Sequence, residues 1–192
     1  MDSGIPVVIM SDQRSRDEIG PQIEAVAEVL GVAGLGVQLA DRVEAELAEA
    51  QARVAALAPA DPADRMRMVF LYMRGTAGIY YWFGEGSGAD DLIEDLRGVD
   101  VASEVGLEGM RPLNAEGLVK AEPDMYLMMT KGLESVGGVD GLMDVPGVAD
   151  TNAGINSCVV DMSDYQILSF GPQFPSTLTA LADAIYSDGL RP

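Results

Sequence analysis

The sequence predicts an α/β fold in which a long helix precedes a lobe of alternating strands and helices. After residue 62, short apolar runs of strand length alternate with segments of helical spacing, which is the pattern of an α/β lobe. Between residues 36 and 57, apolar side chains recur on one stripe, which predicts a helix of about 20 residues and about 30 Å. With 192 residues, 48% of them apolar, the chain has enough apolar residues for a packed core.

Residues 1–62 are predicted to hold one strand and two helices. The apolar run 5–10 has the length of a strand, and Pro21 begins the first helix. The second helix, 36–57, is stopped by the prolines within residues 59–62. Because the strand 5–10 stands alone ahead of two helices, we expect it to be an unpaired strand of a preceding lobe. The predicted division is a first-lobe remnant over residues 1–35, a spine helix over 36–58 and a C-terminal α/β lobe over 63–192.

The lobe is predicted to contain four strands and four helices. The strand at 124–129 is apolar throughout, which is typical of a strand buried on both faces. Asn114 is the predicted N-cap of the helix that follows it. The predicted strands are 66–72, 99–101, 124–129 and 157–162, and the predicted helices are 89–96, 114–121, 139–144 and 175–186.

Composition excludes several classes of function. The formal net charge of −19 argues against a nucleic-acid partner, because backbone phosphates would be repelled. The chain has no histidine, which excludes a serine–histidine or cysteine–histidine nucleophile and a histidine zinc site within it. Cys158 is the only cysteine, so we expect no internal disulfide and no multi-cysteine metal site. These absences disfavour an enzyme.

Tyr72 and Arg74 lie two residues apart where an apolar strand ends. Side chains on a strand alternate between its faces, so these two are expected to point the same way. A guanidinium beside a phenol favours the phenolate, because the opposite charge stabilises the ionised form. A phenolate is an oxygen ligand for ferric iron, so the pair is a candidate iron-binding site. The alternative interpretation is a tyrosine that ends a core strand and an arginine that pairs with a surface carboxylate.

A run of four aromatic residues follows this pair, and its members are Tyr80, Tyr81, Trp82 and Phe83. Aromatic surface beside an anionic oxygen suits a flat, conjugated ligand that carries iron. Because alternate side chains of an extended segment point to opposite sides, we expect two of the four to face such a ligand.

A glycine-rich loop, Gly84-Glu85-Gly86-Ser87-Gly88, precedes the helix at 89–96. Helix N-termini attract anions, so the loop is a candidate phosphate site. However, Asp90 and Asp91 open the helix and no lysine follows the glycines, so neither the dinucleotide nor the Walker fingerprint is matched. Capping of the helix by Ser87 is the favoured interpretation.

Several longer motifs of the chain resemble those of a known family. The motifs are the stretch 69–93, Met110-Arg111-Pro112-Leu113-Asn114, Pro123-Asp124-Met125-Tyr126-Leu127-Met128, the stretch 132–142 and Phe170-Gly171-Pro172. Together they resemble the C-terminal lobe and spine helix of the haem-binding substrate-binding proteins of bacterial haemin ABC transporters, actinobacterial type. The resemblance covers essentially the whole chain. It implies the Rossmann-like C-terminal lobe of a helical-backbone, or class III, periplasmic-binding-protein fold.

The resemblance also implies roles for individual residues. In that family a tyrosine of the second lobe holds the haem iron and an arginine two residues later stabilises its phenolate, which corresponds to Tyr72 and Arg74. The opposite ligand in that branch is a histidine of the first lobe, so Tyr72 is the one iron ligand expected from this chain. The expected porphyrin wall is Tyr80, Tyr81, Trp82 and Phe83, and the expected propionate partners are Arg111 and Lys131.

At the level of function, the resemblance implies capture of ferric haem and its delivery to an ABC transporter permease, without catalysis. The expected location is extracytoplasmic, on a membrane-anchored lipoprotein in the full-length form, with no signal or anchor in this chain. A half-cleft or an unpaired strand would leave apolar surface open, so we expect a homodimer.

Two alternatives stay open at this point. One is a ferric siderophore or a corrinoid as the ligand of the same fold. The other is an α/β interaction module with no small-molecule ligand.

Overall fold

The computed structural model describes residues 7–11 and 13–186, which form an α/β structure. Two packed helices, α1 (Ile19–Val29) and α2 (Ala33–Leu57), precede the lobe. The α2 helix has 25 residues and ends where Ala58 adopts extended backbone, just before the prolines. The helix predicted at 36–57 is therefore observed, three residues longer at its N-terminal end than expected.

The lobe is built on a mixed sheet of six strands among the described residues. The strand order is β4-β2-β1-β5-β6, and β3 pairs with the first residues of β1 on the same side as β2. The strands β1, β3, β5 and β6 are parallel, whereas β2 runs antiparallel to β1 and β4 antiparallel to β2. The strands are β1 (Arg67–Arg74), β2 (Ile79–Phe83), β3 (Val99–Asp100), β4 (Met110–Pro112), β5 (Met125–Met129) and β6 (Val159–Met162).

Helices cover both faces of this sheet, as parallel strands require. The predicted N-cap is confirmed, because the Asn114 side chain accepts hydrogen bonds from the backbone amides of Glu116 and Gly117. The helices of the lobe are α3 (Ala89–Asp95), α4 (Val101–Glu104), α5 (Ala115–Ala121), α6 (Thr130–Ser135), α7 (Gly138–Met143), α8 (Asn152–Ile155) and α9 (Phe174–Tyr186). The short α4, α6 and α8 were not predicted, because four to six residues are too few to show a helical period.

The pleat of β1 divides the core into two layers. Met68 and Phe70 pack on the face covered by α2, α3 and α9, and Tyr72 lies at the rim of that layer. Val69 and Leu71 pack on the opposite face, with residues of α4 and α5. Side-chain direction along β1 therefore decides which residues can reach the same ligand.

A buried ion pair ties the chain ahead of α1 to the lobe. Arg16 lies in a 3-10 turn (Arg16–Glu18), and its guanidinium donates to the carboxylate of Asp95 at the end of α3. Gln51 of α2 donates to the same carboxylate oxygen at 3.2 Å. The Asp95 side chain is only 2% exposed, and burial raises its pKa although both hydrogen bonds favour the ionised form.

Two predictions about local structure need correction. The predicted strand 5–10 is wrong for Val7 to Met10, which form no strand, and its first two residues lie outside the described residues. A strand needs a ladder partner, and the sheet of the lobe begins only at Arg67. The Ser87 hydroxyl does accept a hydrogen bond, from the Ala89 amide, but the position before the helix is Gly88 in left-handed conformation.

Within the described part of the chain, none of the helices has the length and apolar character needed to cross a membrane.

Candidate functional site

The candidate site lies where the parallel strands end. β1 ends at Arg74, β5 at Met129 and β6 at Met162, and the register of these strands places the three ends at one edge of the sheet. Ligands of open α/β sheets bind at the carboxyl ends of strands, because the connecting loops there leave a crevice. Tyr72 and Arg74 of the predicted site are therefore at the edge where a ligand is expected.

Tyr72 is half-buried and bordered by aromatic rings from β2. Its ring stacks with the ring of Phe83 at a centroid distance of 5.9 Å and an interplanar angle of 20°. Tyr81 is its direct partner across the β1–β2 ladder, so the two side chains share one face. Tyr72, Tyr81 and Phe83 lie on the side of the sheet covered by α2 and α9, where Phe83 is 4% exposed and only the two tyrosines remain partly exposed.

Arg74 is held over Tyr72 by several contacts. The centre of its guanidinium lies 4.4 Å from the centroid of the Tyr72 ring, a cation–π distance. Its Nη1 donates to the Met73 carbonyl at 2.8 Å, and its Nη2 donates to Oδ2 of Asp164 at 2.9 Å. The Sδ atom of Met129 lies 3.8 Å from the same Nη2. The guanidinium therefore lies over the Tyr72 ring, so the two side chains point the same way, as strand alternation predicted.

The backbone after Arg74 is fixed by α6. The Gly75 amide donates to the Ser135 hydroxyl at 2.9 Å, and that hydroxyl donates to the Gly132 carbonyl at 2.7 Å. A Cβ at Gly75 would lie 2.4 Å from the Ser135 carbonyl oxygen, so only glycine allows this approach. A Cβ at Gly132 would lie 3.3 Å from Nη1 of Arg74. Both glycines let α6 pack closely against the end of β1.

Lys131 lies at the same edge, in the first turn of α6. Its Nζ is 5.3 Å from the centroid of the exposed Tyr165 ring, and its backbone amide donates to Oδ1 of Asp164 at 3.1 Å. The Lys131 side chain is exposed, so it lies at the rim of the site.

Three of the predicted site residues lie on the other side of the sheet. Trp82 is 4% exposed and packs in the opposite core layer, and Tyr80 borders that layer. Arg111 is the direct partner of Trp82 in the β2–β4 ladder and therefore shares its face. Strand alternation thus divides the aromatic run as expected, with Tyr81 and Phe83 beside Tyr72 and the other two turned away.

The sequence analysis missed Asp164 and Met129 as neighbours of Arg74. Asp164 lies 90 positions from Arg74 along the chain, so no local pattern connects them. A usable signal was present, because Asp164 is a polar residue that closely follows a parallel strand and so falls at the same edge as Arg74.

This edge offers a phenol oxygen, a fixed cation and an aromatic surface. Among residues 7–11 and 13–186, no group of three or more histidine, cysteine, aspartate or glutamate residues is placed to hold a metal ion.

Comparison with known proteins defines the family. A sequence model described as periplasmic binding protein matches residues 1–165. The chain belongs to the periplasmic binding protein family. The fold agrees, because this periplasmic binding protein superposes on solved members of the family with TM-scores up to 0.90. A comparison with curated proteins found no match.

Three solved structures show how similar the relatives are. The heme-binding protein HmuT is 44% identical with a TM-score of 0.90, over 96% of this chain and 59% of HmuT. The periplasmic heme-binding protein RhuT from Roseiflexus sp. RS-1 is 36% identical with a TM-score of 0.89, over 96% of this chain and 68% of RhuT. BhuT in complex with two hemes is 28% identical with a TM-score of 0.86, over 98% of this chain and 69% of BhuT. The chain therefore spans about three-fifths of HmuT and about two-thirds of RhuT.

Alanine variants of HmuT have also been solved. They replace one histidine, one tyrosine and one arginine that lies two positions after that tyrosine. The tyrosine and arginine have the same spacing as Tyr72 and Arg74 of this chain.

Proposed function

We propose that this periplasmic binding protein binds ferric haem as cargo, with the phenolate of Tyr72 as the iron ligand. The observation that carries the proposal is the Tyr72–Arg74 pair at the carboxyl end of β1, where the guanidinium lies 4.4 Å from the phenol ring. Its support from relatives is the 44% identity to HmuT and the tyrosine–arginine spacing of the HmuT variants.

The chemistry of the donor set fits haem. A phenolate is a hard anionic donor that prefers ferric over ferrous iron, and tyrosine-ligated haem is a known arrangement. The partly buried ring of Tyr81 supplies apolar surface for a porphyrin, and the buried ring of Phe83 supports Tyr72 from the core. Haem brings four nitrogen ligands of its own to the iron. Binding through a phenolate suits capture and release of haem, and no catalytic group is required.

The assignment of the other predicted residues follows from their face of the sheet. We assign Tyr81 to the porphyrin wall, whereas Phe83 is 4% exposed and packs in the core behind Tyr72. We assign Lys131 to a haem propionate, because an exposed ammonium at the rim can reach a carboxylate. Tyr80, Trp82 and Arg111 are left out of the proposed ligand set, because a ligand on Tyr72 lies on the opposite side of the sheet.

Haem titration tests the proposal. We expect the full chain to bind ferric haem with an altered Soret band, and Tyr72→Phe to lose the tyrosinate spectrum. Tyr165→Phe is the matched control, because it removes the hydroxyl of another tyrosine at the same edge, whose ring lies beside Lys131. A corrinoid and a ferric siderophore, titrated in parallel, give the ligand preference. Identical haem spectra for the native chain and Tyr72→Phe would contradict the assignment.

The family supports a proposed partner and a proposed location. The proposed partner is an ABC transporter permease, which would receive haem from a lipid-anchored protein outside the cytoplasm. Haem loss to permease-containing vesicles that is faster than loss to vesicles of the same lipids alone would support this step. Equal rates would contradict it.

Pairing with a second copy is proposed through the apolar residues of α1 and the start of α2. Val26, Leu30 and Leu35 are 46%, 69% and 63% exposed, and they line a groove of about 400 Å³. We expect sedimentation velocity to show a dimer that Leu35→Glu dissociates. A monomer at all concentrations would contradict the proposal.

A further inference from the structure

Asp164 connects three elements at the edge of the proposed site. It follows β6, and its Oδ2 accepts the hydrogen bond from Nη2 of Arg74 at 2.9 Å. Its Oδ1 accepts from the backbone amide of Lys131 at 3.1 Å, at the junction of β5 and α6. Both carboxylate oxygens are thus used, and the carboxylate has a fixed orientation.

The pair that Asp164 forms with Arg74 is largely shielded from water. The side chains of Arg74 and Asp164 are 29% and 15% exposed. A hydrogen bond between two charged groups is shorter and stronger than a neutral one, and partial burial reduces its screening by salt. This ion pair is therefore expected to hold its geometry better than an exposed pair such as Arg42 with Glu46, whose side chains are 67% and 52% exposed.

Without this partner, Arg74 would have few contacts to fix it. An arginine side chain loses rotamer entropy when it is held in place. Its remaining contacts are the adjacent Met73 carbonyl, the Met129 sulfur at 3.8 Å and the Tyr72 ring. The Met73 carbonyl holds Nη1, whereas Nη2 has only the Met129 sulfur besides Asp164. The orientation of the Nη2 side of the guanidinium therefore depends mainly on Asp164.

We propose that Asp164 is a positioning residue that holds the Arg74 guanidinium over Tyr72 before the ligand arrives. This inference rests on the proposed haem function. A cation already in place does not have to be ordered during binding, so the free energy of binding is larger. Asp164 acts on haem through Arg74 and does not touch the iron.

Haem release measures this role in the complex. Transfer of haem to excess apomyoglobin is followed for the native chain and for Asp164→Ala, Asp164→Asn and Arg74→Ala. We expect Asp164→Ala to speed release by about five-fold, as residues coupled through one contact do. Asp164→Asn should release haem at a rate between those of the native chain and Asp164→Ala, because the amide oxygen is still an acceptor but has no charge. In the Arg74→Ala background, Asp164→Ala should have no further effect.

Asp161→Ala is the matched control. Asp161 lies three residues earlier, is exposed, and accepts from Thr130 at 2.6 Å instead of from Arg74. We expect its haem release to equal that of the native chain. Equal acceleration by Asp161→Ala and Asp164→Ala would mean that only net charge matters, which overturns the inference. An undiminished effect of Asp164→Ala in the Arg74→Ala background would overturn it as well.

A second measurement needs no haem. In the ligand-free chain labelled with ¹⁵N, the Nε–H resonance of Arg74 is assigned by its loss in Arg74→Ala. We expect it to change position in Asp164→Ala, because loss of the Nη2 hydrogen bond alters the guanidinium, and to keep its position in Asp161→Ala. An unchanged Arg74 resonance in Asp164→Ala overturns the inference.

The two measurements separate the inference from the proposed function. If Tyr72→Phe leaves the haem spectrum unchanged, the iron assignment fails, while the Arg74 resonance still decides the role of Asp164. If Tyr72 proves to be the ligand but neither release nor the resonance depends on Asp164, the positioning role alone fails.

Discussion

At the scale of single residues, two tyrosines have buried hydroxyl groups. The Tyr126 hydroxyl lies in the core with the Val148 carbonyl and the Thr151 hydroxyl, and the Tyr186 hydroxyl donates to the Leu96 carbonyl. Burial raises the pKa of each to about 12. Both groups are held in their protonated form well above the pH at which an ordinary tyrosine ionises.

These two residues predict a loss of stability at high pH. Between pH 10 and 12 the unfolded chain has lost protons that the folded chain keeps, so the free energy of unfolding falls as pH rises. The slope is up to about 1.4 kcal/mol per pH unit for each group. Urea unfolding of the native chain, Tyr126→Phe and Tyr186→Phe at pH 7, 10 and 11.5 checks this. The free energy of unfolding should fall less steeply with pH in each variant than in the native chain. An equally steep fall would contradict the prediction.

The residue scale also shows what a sequence can predict about a site. Tyr72 and Arg74 could be paired from the sequence because strand alternation acts over two residues. Asp164 could not be paired with Arg74, because that contact depends on the parallel placement of β1, β5 and β6. Arg111 was chosen for its charge, but the β2–β4 ladder turns it to the face of Trp82.

At the scale of elements, α1 and α2 cross at unusually short range. A Cβ at Gly36 would lie 2.4 Å from the Cβ of Ala27, so only glycine allows the two helices this approach. Gly34, two residues earlier in α2, has nothing within 4 Å of the same position. The two glycines have different roles although they occur in the same helix.

We predict opposite effects for alanine at these two positions. Gly36→Ala should lower the free energy of unfolding by about 1–3 kcal/mol, because α1 must move away from α2. Gly34→Ala should raise it by up to about 1 kcal/mol, because alanine favours the helix and reduces the entropy of the unfolded chain. Chemical denaturation of both variants checks the sign of each change in the free energy of unfolding. A loss of the same size for both would show that crowding at Ala27 does not decide the effect.

The Arg16–Asp95 pair gives a second prediction at this scale. Arg16→Ala leaves the buried Asp95 carboxylate with Gln51 as its partner. We therefore expect the free energy of unfolding to fall by about 2–3 kcal/mol at pH 7. The loss should shrink as pH falls, because burial raises the pKa of Asp95 and protonation then removes the uncompensated charge. Arg42→Ala, in an exposed pair with Glu46, is the control and should cost at most about 0.5 kcal/mol. Equal losses would contradict the buried role of Arg16.

Helices were predicted accurately where the apolar pattern was long enough to show the helical period. The α2 and α9 helices have 25 and 13 residues and were predicted from their apolar stripes. The strand predicted at 5–10 failed for Val7 to Met10, because an apolar run reports strand propensity but not the presence of a ladder partner.

At the scale of the whole molecule, the sheet separates two environments. One face carries Tyr72 and Tyr81 near the ligand edge with Phe83 buried behind them, and the other face buries Trp82. The family resemblance predicted the fold over the whole chain, and comparison confirmed the family. The assignment of individual residues to a ligand required the faces of the sheet, which depend on strand order and register.

The central claim is that the Tyr72 phenolate binds ferric haem iron, and resonance Raman spectroscopy of the ferric haem complex tests it most directly. Excitation in the phenolate-to-iron charge-transfer band enhances ring vibrations of a coordinated tyrosinate. We predict these bands for the native chain and for Tyr165→Phe, and their loss in Tyr72→Phe. Tyrosinate bands that persist in Tyr72→Phe, or their absence from the native complex, would contradict the account.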